Sequence, residues 1–328
     1  MSAIETKDLT KKFGKLTAVD KVNINVEHGE VFGLLGPNGA GKSTIISMLC
    51  TILKPTAGTA LVNGYDIIKQ PSQVRKSIGI VFQDPSVDDR LTGRENLEMH
   101  ADLYAVPESE MKPQIDKVLE LVELSDRGND FVRNYSSGMR RRLEIARSLV
   151  HTPNVLFLDE PTIGLDPQSR NHIWSYIQEL LQTEDLTIIL TTHYMEEADK
   201  LCDRIAIVDH GNIVALDTPE SLKEKLGGET IAVKSQNNPL YLEKIKEAGV
   251  AKGAVIAGDE VKITVDNAHI VLSHIVDIAS KNGIAIESIS LQEPQLDDVF
   301  LYYTGRALRD GGGKELSGMG AIKRRQIK

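Results

Sequence analysis

A glycine-rich segment between an apolar run and a helical pattern constrains this chain more than any other feature. It reads Gly36-Pro37-Asn38-Gly39-Ala40-Gly41-Lys42-Ser43-Thr44 and fits the pattern G-x-x-x-x-G-K-[ST]. The β-rich run Val31–Leu35 precedes it, and a helical pattern from Ile45 to Leu49 follows it. Glycines let backbone N–H groups crowd around a phosphate, and a helix N-terminus adds partial positive charge. The segment predicts a phosphate-binding loop in an α/β fold, in preference to a glycine turn without a ligand.

Within this loop, Lys42 is predicted to reach the β- and γ-phosphates and the Ser43 hydroxyl to hold Mg²⁺. A second source of metal ligands follows the apolar run Val155–Leu158, which ends in Asp159 and Glu160. Alone, such an ending is unremarkable, because acidic residues often end strands at turns. Paired with a phosphate-binding loop, it predicts Asp159 as a Mg²⁺ ligand. The adjacent Glu160 is the candidate general base for the water that attacks the γ-phosphate.

Composition is typical of a soluble globular protein, with 41% apolar and 26% charged residues over 328 positions. That length favours two domains. A formal net charge of −9 makes nucleic acid an unexpected partner. The longest apolar runs are far shorter than the roughly 18 residues of a membrane span, and residues 1–12 do not resemble a signal peptide, so the prediction is a cytoplasmic protein. Cys50 and Cys202 are expected to be reduced and buried.

From Ile4 to Leu226, β-rich runs alternate with helical patterns, which predicts a mainly parallel sheet covered by helices. A helical pattern from Gly93 to Glu123 indicates a helical insert. Because ligands of open α/β sheets lie at the carboxyl ends of the strands, the polar residues that end several runs are expected to converge. The strand predictions are Val31–Leu35, Ile78–Phe82, Val155–Leu158, Thr187–Thr191 and Ile205–Val208.

After Gly227-Gly228 the order of elements changes to β-α-β-β-α-β, which is typical of a ferredoxin-like unit, although another small α+β arrangement stays open. The turn Gly258-Asp259 supports the central hairpin. The predicted elements are strand Thr230–Lys234, helix Pro239–Ala248, strands Gly253–Ala257 and Val261–Val265, helix Ala268–Lys281 and strand Ile284–Leu291. The predicted division is 1–227, with a helical subdomain at about 84–150, then 228–306 and a disordered tail at 307–328.

Three further motifs, in order, give residues Ile4 to about Leu226 a resemblance to the ATP-binding cassette (ABC) superfamily. Val81-Phe82-Gln83 resembles the Q-loop, which implies that Gln83 contacts Mg²⁺ or the attacking water. Gly164-Leu165-Asp166-Pro167 resembles the D-loop at the dimer interface. Thr191-Thr192-His193 resembles the switch histidine, which contacts the γ-phosphate. The resemblance implies a P-loop NTPase domain of the ABC type, with ATP and Mg²⁺ as ligands.

Tyr135-Ser136-Ser137-Gly138-Met139 resembles the family signature, which caps the nucleotide bound by the opposite subunit. Ser136 and Gly138 keep the expected residue types. Ser137 stands where the family has Gly, which adds a Cβ at a position that needs either a close backbone approach or a positive φ. Phe13 lies where the family stacks an aromatic ring on adenine, with burial in the core as the alternative. Arg140, Arg141 and Arg142 are mostly expected to be solvated or salt-bridged.

A narrower resemblance, to the daunorubicin-resistance family of exporter ATPases, is carried by Leu91–Leu97, Tyr135, Met139 and Leu296–Phe300. Members pair with a separate membrane permease, and their C-terminal region is implicated in that assembly. Packing of Leu296, Val299 and Phe300 against the ferredoxin-like unit is an equal interpretation.

The hypothesis is that two copies close on two ATP·Mg²⁺, each nucleotide lying between the loop of one copy and the signature of the other. Closure and hydrolysis-driven opening would power export through a separate polytopic permease, with the ATPase peripheral on the inner face of the membrane. The rival is a non-transport ABC ATPase acting on ribosomes or DNA, and a nucleotide sensor with negligible hydrolysis is a third class. Neither the transported molecule nor the permease can be identified from this chain.

Overall fold

The computed structural model describes residues 2–84, 86–183, 186–225, 229–265, 267–292 and 294–305. The tail predicted to be disordered, 307–328, and the predicted boundary at Gly227-Gly228 lie outside the described residues. The strands are β1 Ser2–Phe13, β2 Leu16–Val22, β3 Asn25–Glu27, β4 Val31–Leu35, β5 Ala57–Val62, β6 Tyr65–Asp66, β7 Ile78–Val81, β8 Val155–Asp159, β9 Thr187–Thr192, β10 Arg204–Asp209, β11 Asn212–Asp217, β12 Glu229–Ser235, β13 Gly253–Ala257, β14 Glu260–Val265 and β15 Ile286–Gln292.

Helices alternate with these strands through most of the chain. They are α1 Lys42–Leu49, α2 Pro71–Ser77, α3 Gly93–Leu103, α4 Glu108–Leu121, α5 Ser137–Leu149, α6 Pro167–Thr183, α7 Met195–Leu201, α8 Pro219–Lys225, α9 Asn238–Ala248, α10 Ala268–Lys281 and α11 Leu296–Thr304. None of the helices in the described part of the chain is both long and apolar enough to cross a bilayer.

The central sheet has the strand order β11-β10-β4-β9-β8-β7 and is parallel except for β11. Its five parallel strands are the five predicted ones, with ends that differ by at most one residue. Every residue of β4, β8 and β9 is buried, because both faces of the sheet are covered. The parallel register brings the carboxyl ends of β4, β7, β8 and β9 to one edge, which is where the predicted site residues follow.

A second sheet, built from β1, β2, β3, β5 and β6, is antiparallel. The sequence analysis predicted a mainly parallel sheet covered by helices and did not predict this second sheet. Alternate residues of β4 enter different cores. Phe32 and Leu34 join a cluster with Ile4, Leu9 and Ile45 on the side of this second sheet. On the other face, Val31 and Leu35 join the cluster formed mainly by the helices from α3 to α7. The parallel sheet therefore lies between two apolar layers.

The predicted helical insert forms two helices, α3 and α4, where the sequence pattern predicted helical structure throughout 93–123. Thr92 and Glu95 form a capping box at the start of α3, since each side chain bonds the other's backbone N–H. The break between the helices contains Ala105, whose φ of 53° is left-handed, and Pro107, which caps α4. A proline at this point cannot donate the backbone bond that a continuous helix needs.

The C-terminal unit is ferredoxin-like, as predicted. Its strands lie in the order β13-β14-β12-β15, and every neighbouring pair is antiparallel. Helices α9 and α10 cover a separate apolar cluster that includes Ile231, Tyr241 and Ile275. Asn237 and Asn267 cap the starts of the two helices through side-chain oxygens. Both helices and all four strands match the predicted ones within two residues.

Helix α11 does not pack where the sequence interpretation placed it. Leu296, Val299 and Phe300 were expected either to serve permease assembly or to pack on the ferredoxin-like unit. They belong to the apolar cluster of the first unit, and α11 contacts α7, α8 and β11. Packing on the ferredoxin-like unit is therefore wrong, whereas a role in permease assembly stays a prediction. An amphipathic pattern shows that a helix has an apolar face, but the chain path decides what covers that face.

Cys50 and Cys202 are free, buried thiols, as predicted. Burial raises the pKa of both well above the usual range, because a thiolate is poorly solvated in the apolar interior. We assign neither a chemical role.

Candidate active site

The glycine-rich loop needs glycine at two positions for reasons of space. A Cβ on Gly36 would lie 2.3 Å from the carbonyl oxygen of Val208. Gly41, which precedes α1, has a φ of 111°, and a Cβ there would lie 2.6 Å from the carbonyl oxygen of Ala18. The loop is thereby pressed against two neighbouring backbone segments, with Pro37, Asn38 and Gly39 turning outward before Ala40 returns to the core.

Lys42 is the first residue of α1 and is only 3% exposed. Its ammonium donates to the carbonyl oxygens of Gly36, at 2.7 Å, and Pro37, at 3.2 Å, and lies 3.4 Å from Oε1 of Glu160. Burial lowers the pKa of Lys42, and the nearby carboxylates of Glu160 and Asp159 oppose that shift. The backbone of the loop thus holds this cation at the N-terminus of α1, where a phosphate would bind.

Ser43 and Asp159 meet across the edge of the sheet, as the motif logic predicts. The Ser43 hydroxyl donates to Oδ1 of Asp159 at 3.1 Å. The Thr191 hydroxyl, at the end of β9, donates to the same carboxylate oxygen. A carboxylate and a hydroxyl in contact are hard oxygen ligands of the kind that Mg²⁺ binds, so these residues fit the predicted metal.

Glu160 follows β8 with a left-handed backbone, at φ 48°, which is uncommon for a residue with a side chain. Its N–H donates to the hydroxyl of Thr191 at 3.0 Å. Its carboxylate lies between two cationic or ionisable partners, the Lys42 ammonium and the His193 ring, whose Nδ1 is 3.2 Å from Oε2 of Glu160. The backbone turn therefore aims the carboxylate at the loop and the switch histidine together.

Gln83 and Asp166 are both exposed. Gln83 is exposed and follows β7, whose last residue, Val81, pairs with Leu158 of β8, so it leaves the sheet at the same edge as Asp159. Asp166 is exposed and accepts from the N–H of Ser169 at 3.0 Å and from its hydroxyl at 2.6 Å. These hydrogen bonds lower the pKa of Asp166 and fix the start of α6.

The signature residues face a different cavity. Ser136 caps α5 by accepting from the N–H of Met139 at 3.2 Å. Ser136 and Gly138 line a cavity of about 150 Å³, together with Glu123, Met139, Arg142, Ser169, His172 and Ile173. None of the residues of the Lys42 cluster lines it. Within one copy, the loop and the signature therefore do not form one pocket.

Ser137 is the first residue of α5 and is exposed, and its φ is not positive. The prediction that this position needs glycine because its φ is positive is therefore wrong for this chain. A close backbone approach by a ligand stays a prediction.

Phe13 ends β1 with 47% of its surface exposed, and the Lys11 ammonium lies 5.2 Å from its ring centre. Burial in the core, the alternative to an adenine contact, is wrong. An exposed ring face remains available for stacking.

Sequence reasoning missed several buried charged residues next to the site, Arg141 and Glu197 among them. In the arginine run, Arg140 contacts Asp89 and Arg142 contacts Glu123 at partly exposed positions, as expected. Arg141, by contrast, is only 7% exposed and donates to main-chain carbonyl oxygens that include that of Glu160. Glu197 of α7 is fully buried and accepts from the Thr162 hydroxyl, at 2.8 Å, and from the Trp174 indole, at 3.0 Å. A charged residue in a helical pattern predicts solvent exposure, so nothing in the sequence indicated that Arg141 or Glu197 is buried.

Comparison with known proteins identifies the family. Residues 19–163 match the family described as "ABC transporter", and residues 218–304 match the "ATP-binding protein DrrA1-3-like, C-terminal domain". The linearmycin resistance ATP-binding protein LnrL of Bacillus subtilis is 40% identical over 94% of this chain and 100% of its own length. The chain belongs to the ABC transporter family of ATP-binding proteins.

Other members of the ABC family are also similar to this chain. The daunorubicin resistance ATP-binding protein DrrA2 of Streptomyces coeruleorubidus is 40% identical over 95% of this chain and 98% of its own length. Among solved structures, cbiO1 of Clostridium perfringens, part of the ABC transporter complex cbiONQ, aligns with a TM-score of 0.63 and 30% identity over 67% of this chain and 90% of that one. This ABC protein is accordingly a P-loop ATPase with a DrrA-like C-terminal domain.

Proposed function

We propose that this ATPase powers export of a substrate through a separate membrane permease, by ATP-driven closure of two copies and opening after hydrolysis. The observation that carries the proposal is the meeting of Lys42, Ser43, Asp159, Glu160 and His193 at one edge of the parallel sheet. The relatives with whole-length similarity include linearmycin and daunorubicin resistance proteins and, at 37% identity, the Nod factor export ATP-binding protein I of Rhizobium etli. Their names support export as the process that the ATPase drives.

The proposed chemistry assigns one task to each residue of the cluster. Lys42 and the backbone N–H groups of residues 39–44 bind the β- and γ-phosphates. Ser43, Asp159 and Gln83 would hold Mg²⁺, which would neutralise charge on the phosphoryl oxygens. The carboxylate of Glu160 takes a proton from the attacking water, and His193, 3.2 Å from Oε2, orients that carboxylate and reaches the γ-phosphate.

The proposed dimer follows from the separation of the signature and the loop. Ser136 and Gly138 lie at the N-terminus of α5, where a helix dipole favours an anion, but they line a cavity without any residue of the Lys42 cluster. A second copy, turned face to face, would place its signature on the nucleotide held by the first, with Asp166 at the contact and Phe13 on the adenine. One solved ABC cassette that is similar at TM-score 0.59 and 27% identity is dimeric in a post-hydrolysis state with ADP and Pi.

Residues 1–227 would form the ATPase unit and residues 228–306 an assembly or regulatory unit, with the helical subdomain at about 84–150 facing the permease on the inner side of the membrane. A permease would sense hydrolysis through Gln83, since residues on both sides of it bond α5 of the helical subdomain: Phe82 accepts from Arg141, and Ser86 donates to Glu144.

The test is Glu160→Gln in the full chain. The substitution should reduce steady-state ATP turnover by about 10²- to 10⁴-fold and cause ATP-dependent dimers to accumulate in size-exclusion chromatography. Unchanged turnover would refute the assignment of the base. For the partner, the tagged chain isolated from membranes should co-purify with a polytopic protein, whereas nuclease-sensitive retention on nucleic acid would contradict an export role.

A further inference from the structure

Arg141 reaches further into the ATPase site than its place in a run of three arginines suggests. It lies in α5, five residues after the cap Ser136, and its guanidinium is buried. Nε donates to the carbonyl oxygen of Pro161 at 2.6 Å, and one terminal nitrogen donates to that of Phe82 at 2.6 Å. The other terminal nitrogen donates to the carbonyl oxygens of Asp159, at 3.2 Å, and Glu160, at 3.0 Å.

Glu144, one turn later on the same helix, completes the arrangement. It is 2% exposed, and its Oε2 pairs with Arg141 at 2.9 Å. Its Oε1 accepts from the backbone N–H of Ser86 at 2.6 Å. The Arg141–Glu144 pair therefore bonds α5 to the backbone on both sides of Gln83 and to the segment 159–161.

Stability is a poor explanation for this pair. Burying two charges costs desolvation energy, and replacing such a pair with uncharged residues of similar size is often neutral or stabilising. What a guanidinium offers instead is geometry, since its donors are fixed in one plane and can bond several carbonyls at once. Here three of the carbonyls belong to consecutive residues, Asp159, Glu160 and Pro161.

These three carbonyls flank a backbone conformation that needs support. Glu160 has φ 48°, and such left-handed residues persist only where their surroundings hold them. The N–H of Glu160 is held by the Thr191 hydroxyl from β9, and its carbonyl oxygen is held by Arg141 from α5. The direction of the Glu160 carboxylate, towards Lys42 and His193, depends on this backbone.

We propose that Arg141 is a positioning residue of the ATPase, which makes the orientation of Glu160 and of the Gln83 segment follow the orientation of the signature helix α5. It acts through the backbone and contacts no reacting atom. When α5 turns relative to the sheet, the guanidinium carries the carbonyls of Phe82 and Glu160 with it, so that signature engagement and the aim of the general base change together. The inference rests on the proposed role of Glu160.

The test begins with Arg141→Met/Glu144→Gln in the full chain, since removing the arginine alone would leave a buried unpaired carboxylate that itself destabilises the fold. The Gln retains an oxygen for the Ser86 N–H. We expect ATP turnover, kcat, to fall roughly 10- to 100-fold, because a small misplacement of a catalytic group has effects of that size. The Kd for ADP should change by less than about threefold, because the loop around Lys42 is untouched.

The matched control is Arg140→Gln, on the same helix but at a partly exposed ion pair with Asp89. Its kcat should stay within about twofold of that of the unaltered chain. A merely structural role for Arg141 would show as a lower unfolding temperature with kcat per folded molecule unchanged, and that result would overturn the inference.

A double-mutant cycle that combines Arg141→Met/Glu144→Gln with Glu160→Gln separates this inference from the proposed function. If Arg141 acts through Glu160, adding Arg141→Met/Glu144→Gln to Glu160→Gln should lower the residual kcat by less than about twofold. A full additional loss in that background would refute the route through Glu160. If Glu160→Gln alone retains turnover, the assignment of the base fails first. If it abolishes turnover while the folded Arg141→Met/Glu144→Gln variant keeps its kcat, only the positioning role fails.

Discussion

The ammonium of Lys42 lies 3.4 Å from Oε1 of Glu160, so the cation proposed to bind phosphate and the carboxylate proposed to activate water are direct neighbours. Both side chains are buried, at 3% and 6% side-chain exposure, which leaves their attraction poorly screened by solvent. Any phosphate bound by Lys42 must share this cation with Glu160 and also approach a negative charge. We therefore expect the pair to weaken nucleotide binding, even though Glu160 is proposed to serve hydrolysis.

Replacing Glu160 with Gln should for this reason tighten binding of ADP, apart from its effect on turnover. Removing one unscreened negative charge beside the phosphates should strengthen binding by about 1 kcal/mol, which is roughly fivefold in Kd. Equilibrium titration with ADP measures this without hydrolysis. The exposed Glu196→Gln serves as the control for loss of a surface carboxylate, and equal or weaker ADP binding by Glu160→Gln would show that the pair does not compete with phosphate.

The loop glycines allow a second prediction with a matched pair. Gly41→Ala combines a φ of 111° with a Cβ placed 2.6 Å from the carbonyl oxygen of Ala18, so the loop must move. Gly64→Ala also forces a positive φ, of 78°, but its Cβ meets open space in the β5–β6 turn. Both variants should lose about 1–2 kcal/mol of stability from backbone strain.

Only Gly41→Ala should weaken ATP binding, by roughly tenfold or more, because only there does the backbone around the phosphates shift. Titration of the two folded variants with a fluorescent ATP analogue compares them directly. Similar affinities would mean that the loop accommodates the extra methyl group without moving its N–H groups.

Much of this site could be predicted because its residues follow apolar runs that form parallel strands. The ends of β4, β8 and β9 were predictable to within one residue, and strands in parallel register bring their following residues to one edge. Arg141 and Glu197 could not be found in this way, since their burial depends on which segments the chain packs against α5 and α7. The antiparallel sheet around β1 and the packing of α11 depend on long-range contacts in the same way.

Glu197 gives a prediction about pH. Burial raises the pKa of its carboxyl above the ordinary 4.5, although hydrogen bonds from Thr192, Trp174 and Thr162 and the charge of Arg170 oppose the shift. The folded protein therefore holds this proton more tightly than the unfolded chain does. As pH rises from 4.5 through the raised pKa, this carboxyl should cost stability, and above the raised pKa the cost should level off.

Glu197→Gln keeps an oxygen for Thr162 and Trp174 but has no proton to lose. Relative to the unaltered chain, its unfolding temperature should therefore improve as pH rises through that window and stay constant above it. Calorimetry of both proteins over a pH series measures the difference, with the exposed Glu196→Gln as the control. A difference that is independent of pH would show that folding does not shift the pKa of this carboxyl.

The last prediction concerns the return of α11 to the first unit. Phe300 is fully buried in the apolar cluster that also contains Leu201 of α7 and Leu222 of α8, whereas Tyr302 on the same helix is 63% exposed. Phe300→Ala should cost about 3–5 kcal/mol, because it leaves a cavity in a packed core. Tyr302→Ala should change stability by less than about 0.5 kcal/mol.

Thermal unfolding in the presence and absence of ATP shows which of the two units loses stability in Phe300→Ala. ATP stabilises the unit that binds it, so the transition that shifts with ATP belongs to the ATPase unit. In Phe300→Ala this same transition should move to lower temperature, since α11 packs on α7, the helix that follows His193. A loss confined to an ATP-insensitive transition would instead place the helix with the ferredoxin-like unit, and no loss at all would leave Phe300 available for a partner.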